Sequence, residues 1–76
     1  MILLIDAGNS RIKWRLQCAS KGGVEAEGAL VHDDIDRLAG LRPQALGAAR
    51  IVGSNVAGTA VAEHIARALG TEHIDW

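Results

Sequence analysis

Asp6, Gly8, Asn9, Ser10 and Lys13 lie close together in the opening stretch MILLIDAGNSRIKWRL. They supply a carboxylate, two residues that relax backbone geometry, a hydroxyl and an ammonium group. A Gly-rich turn lets backbone N–H groups come close to an anion, and successive N–H groups form a concave nest for phosphate oxygens. The Ser10 hydroxyl adds a further donor, and Lys13 adds a point charge. Asp6 would repel a phosphate unless a cation lay between them, which makes it a candidate Mg²⁺ ligand, directly or through water. The chemistry suggested is a grip on a phosphorylated ligand and its divalent cation. Taken alone, Asp-x-Gly-Asn-Ser fits a polar surface hairpin equally well.

The elements that would position these groups can be read from periodicity. Ile2 to Ile5 is a short unbroken run of branched apolar residues, as in a strand buried on both faces. Ala7 to Ser10 reads as a tight turn, because Gly and Asn tolerate the positive φ that hairpin turns require. Beyond it, Ile12, Trp14 and Leu16 alternate with Arg11, Lys13, Arg15 and Gln17. Period two predicts a second strand with one buried face. Asp6 then ends the first strand, and Lys13 sits just inside the second.

Further along, Ala19 to Gly23 reads as a turn hinged at Gly22-Gly23, and Val24 to Leu30 as a third, antiparallel strand. Glu25 and Glu27 read as its solvated face. Asp33 or Asp34 is expected to cap a short helix carrying Ile35, Leu38 and Ala39, stopped by Gly40. His32 beside two Asp residues is a thin basis for a metal site, since the cap already accounts for the acids. Leu41 to Gly47, around Pro43, reads as a connection with one helical turn. Ala48 to Gly53 is expected as a fourth strand feeding the loop Ser54 to Gly58.

The sequence GSNVAG, Gly53 to Gly58, thus follows a buried strand and precedes a helix. In parallel α/β topology such a loop faces the ligand crevice. Asn55 is the candidate there, either as a helix cap or as a ligand contact. The helix expected near Gly58 to Leu69 carries the stripe Val61, Ala62, Ile65, Ala66 and Leu69, with Gly70 as a left-handed stop. Glu63 and Arg67 are expected as an i,i+4 pair, with His64 solvated. Thr71 to Trp76 reads as the start of a fifth strand, giving the order βββαβαβ with right-handed crossovers.

Composition narrows the classes. The chain has 76 residues, 49% of them hydrophobic, with two Trp and no Phe or Tyr. That is at most one small domain with a modest core. The net charge of −1, without a block of like charges, points to neither nucleic acid nor an anionic membrane surface. The single cysteine, Cys18, allows no internal disulfide and fits a reducing compartment, where it reads as a small strand residue. The apolar start is too short for a signal peptide, and no stretch is long enough to span a membrane. A cytoplasmic protein is the expectation.

ILLIDAGNSRIKW resembles the phosphate-binding hairpin of the acetate and sugar kinase, heat-shock 70 and actin superfamily. Within it, Asp6, Gly8, Asn9, Ser10 and Lys13 match the Asp-x-Gly-Asn-Ser/Thr motif and following Lys of type III pantothenate kinases without departure. GSNVAG resembles the Ser-Asn-Val-Ala-Gly stretch of their proteobacterial members and of the related Bvg accessory factors. The resemblance implies an α/β, ribonuclease-H-like (actin-like ATPase) domain, incomplete here, with residues 1–76 as the N-terminal part of the first nucleotide-binding domain. It implies ATP-dependent phosphorylation of pantothenate, opening coenzyme A synthesis, with Mg²⁺ and a monovalent cation (K⁺ or NH₄⁺) and a homodimeric full-length protein. The nucleotide would be held by Asp6, Ala7, Gly8, Asn9, Ser10, Arg11, Ile12 and Lys13, with Asp6 also on the metal and Asn55 at the edge of the substrate cleft. The catalytic Asp and the pantothenate contacts would lie in a Gly-Ala-Asp-Arg stretch that this chain lacks, so no catalytic residue is assigned within it.

Two other functions are compatible with the same residues. A Bvg accessory factor would regulate transcription without kinase activity, although the nearly neutral charge argues against direct DNA binding. A ribonuclease-H-like nuclease also begins with an Asp on its first strand. Two-metal chemistry needs several converging carboxylates, however, and the fourth strand here ends in Ser54-Asn55.

Overall fold

A computed structural model describes residues 1–18 and 23–76. Three strands come first: β1 (Ile2–Ala7), β2 (Arg11–Gln17) and β3 (Val24–Val31). A 3-10 helix (His32–Leu41) runs into α1 (Arg42–Gly47), followed by β4 (Arg50–Asn55) and α2 (Thr59–Leu69). The strands form one mixed sheet in the order β3-β2-β1-β4, with β1 antiparallel to β2 and parallel to β4. The result is a small α/β domain of one sheet and one helical layer. The expected turn at Ala19 to Gly23 falls largely on residues 19–22, outside the described residues.

Alternation along the strands decides which face is covered. Leu3, Ile5 and Ala7 of β1 stand opposite Leu16, Trp14 and Ile12 of β2, so all six share one face. Ile51 of β4 lies beside Leu3 on that face, and Ile35, Leu38, Ala45, Ile65, Ala68 and Leu69 of the helical layer close over it. Leu3, Ile12, Leu38, Ile65 and Leu69 are the largest fully buried side chains. The opposite face carries Leu4, Asp6, Lys13, Arg15 and Glu27, none of them buried. β1 is therefore covered on one face only, rather than on both as its apolar run suggested. Leu16 faces Ala26 and Gln17 faces Val24, so β3 carries one extra residue at that point.

The first helix departs from expectation for a reason visible in its spacing. Ile35, Leu38 and Leu41 recur every third residue, which lines them up on one face of a three-residue-per-turn helix. Ile35 and Leu38 are buried, and Leu41 packs against the core. Gly40 lies inside this helix and does not stop it, and Val31, not Asp33 or Asp34, is the capping residue. Pro43 falls in the first turn of α1, where a missing N–H costs nothing.

α2 ends as expected at Gly70, which takes left-handed geometry (φ 76°) and donates to the Ala66 carbonyl at 2.9 Å. Arg42 reinforces that end: its Nε donates to the Ala68 carbonyl at 2.9 Å, bringing a cation to the negative pole of the helix. Ala68, which was absent from the expected apolar stripe, is buried beside Ile65 and Leu69. His64 is not simply solvated, since its Nε2 lies 2.8 Å from Asp36 Oδ1 of the 3-10 helix. Glu63 and Arg67 do not form the expected pair; the ion pairs among the described residues are Arg15–Glu27 and Arg50–Asp75, with His64–Asp36 a third only when the imidazole is protonated.

β4 runs two residues further than expected and includes Ser54 and Asn55. The fifth strand is reduced to a parallel bridge between Val52 and Asp75, closed by Asp75 N–H to the Ile51 carbonyl (2.8 Å) and Gly53 N–H to the Asp75 carbonyl (2.7 Å). Among the described residues, no helix is long and apolar enough to cross a membrane.

Gly58 precedes α2 with φ 107° and ψ 165°, a region essentially confined to glycine. Gly58→Ala is therefore expected to destabilise the domain by about 1–3 kcal/mol. Urea denaturation of the two proteins measures this, and equal midpoints would show that the loop relaxes without cost.

Candidate phosphate-binding site

The site is built from the end of one hairpin. Asp6 and Lys13 are register partners across β1 and β2, so their side chains leave the same, uncovered face. Both are exposed. Neither takes part in the three ion pairs found among the described residues, which leaves both charges available to a ligand. Their immediate neighbours, Ala7 and Ile12, are fully buried on the other face. Any contact that Ala7 or Ile12 makes with a ligand must come from the backbone.

Between the strands, the Gly8 N–H donates to the Arg11 carbonyl at 2.9 Å and closes the tip, with neither Gly8 nor Asn9 in the positive φ expected of the turn. Asn9, Ser10 and Arg11 are exposed. Asp6, Gly8, Ser10, Arg11 and Lys13 together line an open depression of about 330 Å³. It joins, through Asp6 and Lys13, a broader groove of about 560 Å³ across the uncovered face, floored in part by Leu4 and Ala29. Of the residues singled out in the sequence, Asp6, Gly8, Ser10, Arg11 and Lys13 thus come together; the side chains of Ala7 and Ile12 are buried on the covered face, and Asn9 is exposed at the tip.

The second motif arrives at the same edge. Parallel pairing sets Asp6 beside Ser54 and Ala7 beside Asn55, and the Val56 N–H donates to the Ala7 carbonyl at 3.0 Å. GSNVAG therefore continues from the C-terminal end of a strand that lies directly against β1, where open α/β sheets place their ligands. Asn55 is neither a helix cap nor an uncommitted ligand contact. Its Oδ1 accepts the Ala57 N–H at 2.9 Å and its Nδ2 donates to the Gly58 carbonyl at 2.8 Å, so it braces its own loop. The capping position of α2 belongs to Gly58.

Among the described residues, Asp6 is the acidic group that lines the depression. The neighbour of Asp6 on β4 is Ser54, and no three His, Cys, Asp or Glu side chains converge among the described residues. A single carboxylate suits Mg²⁺ held jointly with substrate phosphates and water, the usual arrangement at nucleotide sites. It does not match the converging acids of two-metal nucleases.

One contact was missed in the sequence. His32, at the start of the 3-10 helix, has its Nε2 2.7 Å from the Gly8 carbonyl oxygen. A carbonyl can only accept, so Nε2 carries the proton and donates. The sequence set His32 next to Asp33 and Asp34, whereas the fold directs it to the hairpin. The available signal was register: Val31 stands opposite Arg11, so the following residue must lie beside the tip.

No protein-family model matches the chain. Among curated proteins, it is 48% identical over 69 residues to the type III pantothenate kinase of Aromatoleum aromaticum, a match covering 91% of this chain and 28% of that protein. It is 46% identical over 61 residues to the type III pantothenate kinase of an Azoarcus species, covering 80% of this chain and 23% of the relative. A third match, to the type III pantothenate kinase of Paraburkholderia xenovorans, is 49% identical over 67 residues, with 88% and 24% covered. The chain thus spans about a quarter of the length of the curated relatives it matches. Over the segment it spans, it is a homologue of the type III pantothenate kinases.

Proposed function

We propose that this chain is the N-terminal part of a type III pantothenate kinase, and that its hairpin grips the phosphates of ATP. The observation that carries this is the pairing of Asp6 with Lys13 on the open face, at the edge where GSNVAG arrives. Sequence identity of 46–49% to enzymes of that name supports it. The sheet order β3-β2-β1-β4, with β4 parallel to β1, supports reading the domain as the first part of a ribonuclease-H-like, actin-like ATPase fold.

In this account the full-length enzyme transfers the γ-phosphoryl group of ATP to the hydroxyl of pantothenate. Such transfers depend on positioning and on charge neutralisation more than on covalent chemistry. The backbone amides of Asn9 and Ser10 and the Ser10 hydroxyl hold phosphate oxygens, the Gly8 amide being committed to the Arg11 carbonyl, and the Lys13 ammonium compensates their charge. Asp6 would hold Mg²⁺, directly or through water, and the cation would neutralise charge on the phosphates. The general base, the pantothenate contacts, the monovalent cation and the homodimer contacts belong to the remainder of the protein, which works in the cytoplasm.

Three outcomes test this. In the full-length enzyme, Lys13→Ala should raise the KM for ATP roughly tenfold or more while the protein stays folded, because one charge-assisted contact is lost from an exposed side chain. Unchanged ATP kinetics would remove Lys13 from the site. Asp6→Asn should lower Mg²⁺-dependent turnover on the order of a hundredfold, an amide being a poor ligand for a hard cation. Ordinary Mg²⁺ dependence in that variant would reduce Asp6 to a strand-end residue. The 76 residues alone should show no pantothenate-dependent ATP consumption with Mg²⁺ and K⁺ present. Turnover comparable to that of the full-length enzyme would contradict a catalytic base lying elsewhere.

A further inference from the structure

We infer that His32 is a positioning residue for nucleotide binding: its hydrogen bond to the Gly8 carbonyl fixes the direction of the Gly8–Asn9 peptide, so that the Asn9 N–H faces the ligand. The inference rests on the reading of the hairpin tip as a phosphate site.

In a trans peptide the carbonyl of one residue and the N–H of the next point in opposite directions. The Gly8 carbonyl receives the His32 Nε2–H at 2.7 Å, across 24 residues of sequence. The Asn9 N–H must therefore point away from His32. His32 opens the 3-10 helix, whose Ile35 and Leu38 are buried in the core against the covered face of the sheet. His32 stands where β3 meets the helical layer, so the Asn9 N–H is turned away from that junction, while Asp6 and Lys13 project from the uncovered face.

The rest of the tip leaves this one peptide dependent on His32. The Gly8 N–H is bound to the Arg11 carbonyl at 2.9 Å, and the Ala7 carbonyl is held by the Val56 N–H at 3.0 Å. Those bonds fix the peptide before Gly8. The peptide after Gly8 is held by the imidazole. Asn9 and Ser10 beyond it are exposed, and Gly8 has no side chain to resist rotation. A rotated peptide would present a carbonyl oxygen where an N–H is needed, replacing attraction for phosphate by repulsion. His32 is itself placed by β3, whose last residue, Val31, is locked opposite Arg11. The hairpin and the helix that follows it are thereby coupled at the ligand site.

The test compares His32→Leu, which removes the donor, with His32→Gln, whose side-chain amide N–H reaches about as far as Nε2. Both are made in the full-length enzyme, with MgATP affinity measured by calorimetry and steady-state kinetics run for both substrates. His32→Leu should weaken MgATP binding and raise the KM for ATP roughly tenfold, leave the KM for pantothenate unchanged, and lower the urea midpoint only by the worth of one hydrogen bond. His32→Gln should recover most of the lost affinity. MgATP binding to the unsubstituted enzyme with equal affinity in His32→Leu would overturn the inference and leave the phosphate site standing. A parallel loss of both KM values and of stability, without rescue by Gln, would overturn it in favour of a purely structural role. No MgATP binding by the unsubstituted enzyme would overturn the phosphate site and this role together. Should His32→Leu fail to fold, His32→Gln and His32→Asn decide. Gln retaining affinity while the shorter Asn loses it supports the inference, and equal affinity in the two contradicts it.

Discussion

An extended strand sends successive side chains to opposite faces, and the β1–β2 hairpin depends on that alternation being held in one register. Ala7 opposite Ile12 and Leu3 opposite Leu16 are buried under the helical layer. Asp6 opposite Lys13 is consequently forced to the uncovered face. A slip of one residue would bury the two charges and expose the core, so the hydrophobic contacts that hold the domain together also aim its polar pair. The fully buried Ile12 and its exposed neighbour Lys13 are two outcomes of one constraint.

The same constraint brings the second motif into place. β1 is central, with β2 on one side and β4 on the other, so whatever follows β4 emerges next to the tip of the hairpin. The parallel direction of β4 sets Ser54 and Asn55 beside Asp6 and Ala7. GSNVAG is held by internal bracing, with Asn55 tying Ala57 and Gly58 and with Gly58 in geometry that other residues resist. The polar loop is shaped by groups that turn inward on it.

Most of this arrangement was legible in the sequence because it rests on local patterns. The alternation of Ile12, Trp14 and Leu16 with charged residues marked both the strand and its faces, and Gly70 marked the end of α2. What escaped depends on contacts distant in sequence. The bond from His32 to Gly8, the pairing of His64 with Asp36, and Arg42 on the end of α2 each link residues more than 20 positions apart. The first helix escaped for a different reason: a three-residue period of Ile35, Leu38 and Leu41 and a four-residue spacing look alike over so short a span. The cap reading of Asn55 failed because the side-chain oxygen that caps a helix also closes a turn over its own loop. Of the fifth strand expected from Thr71 to Trp76, the described residues show a single bridge, from Asp75 to Val52 of β4.

The central claim is that the hairpin tip binds phosphate through its backbone. The most direct measurement follows the backbone amide resonances of the isotopically labelled protein as MgATP is added. The account predicts the largest shifts at Gly8, Asn9 and Ser10 and a smaller response at Lys13, all saturating together. Shifts centred on α2 or on the helical layer, with the tip unmoved, would contradict it.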